Sequence, residues 1–192
     1  MNKHIEVLNT LKSNREMIKY CKANLQLLGS GSSRLVFALN DKLVIKVAKG
    51  TIGVKQNSTE IKVWAMVDYT FEYYKRSFAK LYTTMCHWMD FFVVMERVDT
   101  KNNPYKRKFN FNTRRSFDTN RKEMDPKIRQ IYTHVSVIDD VTFTLNLPDL
   151  CARNVGVNNR GVLKVCDYGF DKAAYKLMCN GVKQVQTLYV KD

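Results

Sequence analysis

Pro148-Asp149-Leu150-Cys151-Ala152-Arg153-Asn154, with Asp167-Tyr168-Gly169 beginning thirteen positions after the Asn, is the stretch on which the reading of this chain turns. Between the two lie Val155-Gly156-Val157 and Val162-Leu163-Lys164-Val165-Cys166, separated by Asn158-Asn159-Arg160-Gly161. Apolar runs on both sides of an Asn/Gly-rich turn read as a β-hairpin. Such a hairpin brings Asn154 and Asp167 side by side at its open end, where one ion can bridge them. An Asp, an Asn five residues later and a second Asp heading an Asp-aromatic-Gly triplet suit phosphoryl transfer. One carboxylate orients the accepting hydroxyl, while the Asn and the other Asp hold a divalent ion against the phosphates. The bland alternative makes Asp149 a turn residue after Pro148 and Asn154 a strand-start cap. Independent turns would not need this common register.

Further elements precede this stretch in a fixed order. They are Leu28-Gly29-Ser30-Gly31-Ser32-Ser33-Arg34-Leu35-Val36-Phe37, then Val44-Ile45-Lys46, then Glu60, then Val93-Val94-Met95-Glu96-Arg97-Val98. A Gly-x-Gly turn alone is weak evidence. Together the elements resemble the eukaryotic-like protein kinases over roughly residues 25 to 170. The resemblance implies ATP and Mg²⁺ as cofactors. Gly29 and Gly31 would cover the phosphates, Lys46 would reach them, and Glu60 would be its ion-pair partner. Val36, Met95 and Ala48 would wall the adenine, with Glu96 and Val98 at the hinge; all of these also read as ordinary core or surface. Asp149 would be the catalytic carboxylate, Arg153 would face the γ-phosphate, and Asn154 and Asp167 would hold the metal.

Departures from the family pattern are specific. Arg34 stands where the loop has its third Gly, and Leu147-Pro148 replaces the His-Arg that usually precedes the catalytic Asp. Only 23 residues follow Gly169, so the expectation is an α+β fold with a small antiparallel-sheet N-lobe and a reduced helical C-lobe. We place the lobes at about residues 1–98, with an extra N-terminal helix, and about 99–192, in one kinase-like domain.

Bulk properties agree with one core. A chain of 192 residues with 45% hydrophobic content is globular in composition and buries about 70% of the surface its unfolded form exposes. No apolar run approaches the ~20 residues of a membrane span, and the opening Met-Asn-Lys-His-Ile-Glu has no signal-like core. A cytoplasmic location is expected, in a host cytoplasm if the Lys/Asn-rich composition reflects a phage or virus source. Five cysteines without a Cys-x-x-Cys pair read as free thiols. Three scattered histidines lack metal-ligand spacing.

Local patterns predict a helix over 3–24, strands near 25–29, 34–39 and 43–48, and a loop from Gly50 to Asn57. Ser58 would cap a helix bearing Glu60. A further helix over 71–82, strands near 85–90 and 92–98, and a loop over 99–123 follow. Asp125-Pro126 opens a helix with a buried face of Ile128, Ile131, Tyr132, Val135 and Ile138. A helix over 172–179 and a strand over 182–190 close the chain.

The charge is uneven. Net charge is +14, and ten Lys/Arg against Asp118, Glu123 and Asp125 put half of it between Lys101 and Arg129. Phe109, Phe111 and Phe117 are interleaved there. This segment suits nucleic acid, an acidic protein partner or substrate, or no partner at all, as a solvated cationic loop. Three functions therefore stand side by side. They are an ATP/Mg-dependent transferase acting on a Ser, Thr or Tyr hydroxyl (or on a small molecule), a pseudokinase that modulates a partner protein, and a nucleic-acid-binding module.

Overall fold

The computed structural model describes residues 2–105, 124–142 and 152–169. Asp149, most of the basic segment and the expected elements after Gly169 lie outside them. The architecture is α+β. Strands β1 (Gln26–Ser30), β2 (Arg34–Ala38), β3 (Leu43–Ala48) and β4 (Phe92–Glu96) form an antiparallel sheet in sequence order.

Side chains alternate across a strand, and β3 shows how this divides the interior. Ile45 and Val47 point to one face, where Phe37, Phe92 and Val94 meet Ile5, Leu8, Met17 and Cys21 from the N-terminal helices. Val44 points to the other face, together with Val93 and Met95, against a second core. Lys46 shares that second face. Both faces are covered, which accounts for the near-continuous apolar reading of β3.

The expected N-terminal helix is two helices, α1 (Lys3–Thr10) and α2 (Asn14–Asn24). Ser13 starts the second: its hydroxyl accepts from Glu16 N at 3.3 Å, while Glu16 Oε2 folds back to accept from the Ser13 hydroxyl at 2.9 Å and from Lys12 N at 3.2 Å, close to a capping box. Helix α3 (Thr51–Tyr69) absorbs the expected loop at 50–57, and Ser58 is not its cap. Its buried face runs through Gly53, Gln56, Asn57 and Glu60 before it becomes apolar at Val63, Trp64 and Val67.

The helix expected over 71–82 shrinks to α4 (Glu72–Lys75). Beyond it the chain is extended, with Phe78 bridged to Val165 and Leu81 to Met95. No strand forms over 85–90; a 3₁₀ turn (Thr83–Met85) leads to a tight turn at Asp90, φ 56°. Helix α5 (Pro126–Thr142) starts as expected, with Asp125 Oδ1 accepting from Lys127 N at 3.0 Å. Ile128, Ile131, Tyr132, Val135 and Ile138 are buried in the second core.

The hairpin also forms, as β5 (Val155–Val157) and β6 (Leu163–Val165). Asn158 Oδ1 accepts from Arg160 N and Val162 N, and Gly161 takes the left-handed position at φ 73°. An Asx side chain closing the turn and a glycine at positive φ fix the register. Gly156 lets the hairpin lie against the segment after β4, since a Cβ there would stand 2.7 Å from Asp99 O. No helix among the described residues is long and apolar enough to cross a membrane.

A buried histidine ties α5 to the segment after α4. His134 Nδ1 shares a 2.7 Å hydrogen bond with Ser77 Oγ, and its ring meets those of Tyr73 and Tyr74. Burial, with Arg76 nearby, pushes its pKa down to about 4. The unfolded chain protonates this imidazole below about pH 6.5, so it binds more protons than the folded state between pH 4 and 6.5. Stability should therefore fall as pH drops through that window, by up to about 1.4 kcal/mol per pH unit from this group. Denaturant melts of His134→Gln should show a shallower acid slope than wild type. Identical slopes would count against a neutral buried His134.

Candidate functional site

One strand and one helix place the centre of the site. Lys46 sits on β3 with its side chain on the sheet face that meets α3, and Glu60 lies on the buried face of α3. Lys46 Nζ donates to Glu60 Oε1 at 2.7 Å. The lysine is 5% exposed and the glutamate fully buried. Lys46 Nζ also donates to Cys166 O at 2.5 Å, tying the pair to the end of the hairpin. The pairing expected from the sequence is formed.

The Asp167-Tyr168-Gly169 triplet runs directly beneath it. Tyr168 N donates to Glu60 Oε1 at 3.3 Å, and the Tyr168 hydroxyl donates to Ala79 O at 2.9 Å. Its ring meets Phe78 edge-on. The middle residue of the triplet is thus a core residue with a satisfied hydroxyl. Gly169 is required by close approach: a Cβ there would meet Gln56 O at 2.3 Å and Glu60 Cγ at 2.7 Å. Gly169→Ala must push α3 and the triplet apart, at a cost of about 1–3 kcal/mol. A thermal melt should register the loss, and an unchanged melting temperature would contradict the packing described.

Asn154 and Asp167 are brought together as the hairpin implies, for Cys166 N donates to Asn154 O at 2.9 Å just beyond the β5–β6 ladder. Both line one cleft with Lys46, Arg153, Val36 and Gly31. Its inner part measures about 340 Å³ and its outer part about 380 Å³, in the range of small-molecule sites. Val44, Met95 and Val98 wall the outer part. Ala48 does not line it: paired with Arg34 across the ladder, it lies where a Cβ on Gly53 would touch it, and belongs to the core. Glu96 lines the cleft, but its carboxylate serves the hairpin, accepting from Asn158 Nδ2 at 2.8 Å and from Lys80 N at 3.1 Å. Burial pushes the Cys166 thiol up to about 12, which disfavours the thiolate near neutral pH.

Neither loop glycine is required by the packing of the chain. A Cβ on Gly29 would meet nothing within 4 Å, and one on Gly31 only Arg34 O at 3.7 Å. The glycines leave room over the cleft that the described residues do not fill.

Sequence reasoning marked Arg34 only as a departure from the loop pattern and assigned it no place in the site. Arg34 opens β2 on the same face as Lys46, one diagonal step away in the ladder, where it faces Ala48 and Val36 faces Lys46. It is 5% exposed. Its Nη2 donates to Asp167 Oδ1 at 2.5 Å, and Nη1 donates to Asn57 Oδ1 at 3.3 Å. Nη1 also stands 3.1 Å from Glu60 Oε2, an ion pair without a well-aligned hydrogen bond. Burial works against the Asp167 carboxylate. Arg34, Lys46 and the Gly169 backbone outweigh it and hold Asp167 below the usual carboxylate range. The alternation Arg34, Val36, Ala38 was the one signal for an inward guanidinium.

Magnesium does not fit this arrangement as it stands. Of the two residues assigned to it by resemblance, Asn154 and Asp167, the carboxylate already carries the Arg34 guanidinium on Oδ1, so a second cation there would meet like charge.

No family model matches the chain, and no curated protein matches it in sequence. Among solved structures it is similar to the ternary complex of streptomycin, ATP and APH(2")-IIa, at 14% identity and a TM-score of 0.42. The match covers 83% of this chain and 71% of the other. At that TM-score the likeness supports no inference about the site, which rests on its own side chains.

Proposed function

We propose that this chain is a kinase-like phosphotransferase that binds ATP in the cleft between β1–β3 and the hairpin. The observation that carries the reading is the buried Lys46–Glu60 pair, with Asp167-Tyr168-Gly169 locked beneath it. A buried ion pair of this kind is weak evidence of stability in its own right. At the floor of an open cleft it holds an ammonium ready for phosphate oxygens, with no reorganisation on binding. Val36, Val44 and Met95 give the outer cleft an apolar wall for a flat base, and Gly29 and Gly31 leave space for the phosphates.

Asp149 orients the acceptor hydroxyl in this reading and takes its proton. The hydroxyl oxygen bonds to the γ-phosphorus as the β–γ bridging oxygen leaves with its electron pair on ADP. The acceptor is a protein Ser, Thr or Tyr, and the basic segment 101–129 is the candidate dock for an acidic substrate.

Binding and chemistry are tested separately. Millimolar ATP should raise the melting temperature of the full chain through linkage, and Lys46→Ala should reduce that shift. No shift in the wild type, confirmed by calorimetric titration, would reject the nucleotide site. Incubation with γ-labelled ATP and a panel of acceptors, with and without Mg²⁺, then tests transfer.

One observation favours a second reading, in which the chain binds nucleotide and modulates a partner without phosphotransfer. Arg34 holds the carboxylate that metal-assisted transfer would use.

A further inference from the structure

We propose that Arg34 is the built-in cation of the phosphate site, so that the cleft takes a nucleoside triphosphate free of divalent metal. The inference rests on the nucleotide-binding half of the proposed function and goes beyond it by naming the ionic form of the ligand.

A divalent ion that brings a polyphosphate into a protein does so by sharing one or two carboxylates with it. Among the described residues, Glu96 is engaged by Asn158 and Lys80, so the cleft carboxylate left for an ion is Asp167, and its Oδ1 is 2.5 Å from Arg34 Nη2. The guanidinium is held from a second side by Asn57 Oδ1 and Glu60 Oε2, both on α3. The Asp167 side chain is 36% exposed toward the cleft, but a metal there would either stand against a fixed guanidinium or displace it from its buried partners on α3. The first sets like charges in contact, and the second leaves a buried cation short of a partner.

The same geometry suits the bare polyphosphate. Arg34, Lys46 and Arg153 line one cavity, facing the negative charge of Glu60 and Asp167. A guanidinium has five N–H donors, and the contacts described use at most three. Arginine offers planar, directional donors to phosphate oxygens, where a hydrated ion offers only a centre of charge. It is also already in place, anchored by two elements before any ligand arrives. The substitution of Arg for the third glycine of the loop therefore changes the chemistry of the site: a mobile cofactor charge is replaced by a covalently fixed one.

The test is calorimetric titration of the full chain with ATP in excess EDTA and with ATP plus excess Mg²⁺. Wild type should bind both forms with dissociation constants within about threefold. Arg34→Gln should lose about tenfold or more in metal-free affinity and regain much of it with Mg²⁺. Arg34→Lys, which keeps the charge but not the planar donors, should fall between wild type and Arg34→Gln in metal-free affinity. Wild-type binding that weakens tenfold or more in EDTA overturns the inference while leaving the nucleotide site standing. Absence of ATP binding in both media overturns the nucleotide site and the inference with it. Should Arg34→Gln fail to fold, the wild-type comparison still decides. Mn²⁺ spin resonance on the nucleotide-free wild type provides an independent check. Little bound Mn²⁺ is expected, and tight Mn²⁺ binding that Asp167→Asn abolishes overturns the proposal.

Discussion

Glu60→Leu should lower the stability of the folded chain by about 3–5 kcal/mol, the cost of stranding buried charge when one partner of an ion pair is removed. Glu60 is fully buried and serves two cations, with Lys46 Nζ at 2.7 Å and Arg34 Nη1 at 3.1 Å. Its Oε1 also accepts from Tyr168 N. Leucine fills much of the space but supplies no acceptor. Lys46 then keeps only the Cys166 carbonyl among its direct contacts described, and Arg34 keeps Asp167 and Asn57. For a domain of this size the loss corresponds to roughly 6–20 °C in melting temperature. Glu60→Gln, which keeps an acceptor for Tyr168 N, should lose less. Adding Lys46→Met to Glu60→Leu should recover part of the loss, because an apolar pair removes the stranded ammonium. A loss below about 1 kcal/mol, the scale of an exposed salt bridge, would show that water solvates the carboxylate in solution and that the anchored cleft is wrong.

Asp149→Asn should reduce phosphotransfer about 10²–10⁴-fold, the usual contribution of a positioned general base, with little change in ATP affinity. A group acting on the acceptor hydroxyl works mainly in the transition state, so its loss falls on turnover and not on ground-state nucleotide binding. Labelled-phosphate transfer and a binding titration on the same preparations separate the two quantities. Equal rates for wild type and variant would assign the signal to a contaminating kinase. A wild type that binds ATP but modifies no acceptor would favour the second reading, partner modulation without transfer.

The helix α3 shows where sequence and structure part company. Its first half has a buried face of Gly53, Gln56, Asn57 and Glu60, at intervals of three and four residues. The spacing is helical, but the residues are polar or small, so hydrophobic periodicity reads a loop there. Their burial makes sense only with distant partners. Gln56 Oε1 accepts from Ser33 Oγ, Asn57 Nδ2 donates to Asp90 O, and Glu60 meets Lys46 and Arg34. The converse error occurs at 71–82, where Phe71, Tyr74, Phe78 and Leu81 mimic a helix face. Phe78 and Leu81 are instead drawn into bridges with Val165 and Met95, because long-range pairing overrides a short local pattern.

The sequence by itself determined the parts whose signals are local. The hairpin after Asn154 followed from its turn residues, the sheet from alternating strands, and the Asp125-Pro126 helix start from its cap. The partnership of Lys46 with Glu60 was legible by resemblance, from residue types and their order. Tertiary structure alone decided what lies against Asp167. Arg34 reads locally as a loop substitution, and nothing within several residues of it reveals a carboxylate partner. The two side chains are 133 positions apart and meet only because β2 faces α3 and the hairpin delivers Asp167 beneath them both. An electrostatic contact depends on distance in space, and sequence patterns with periods of two or four residues carry no information about that distance.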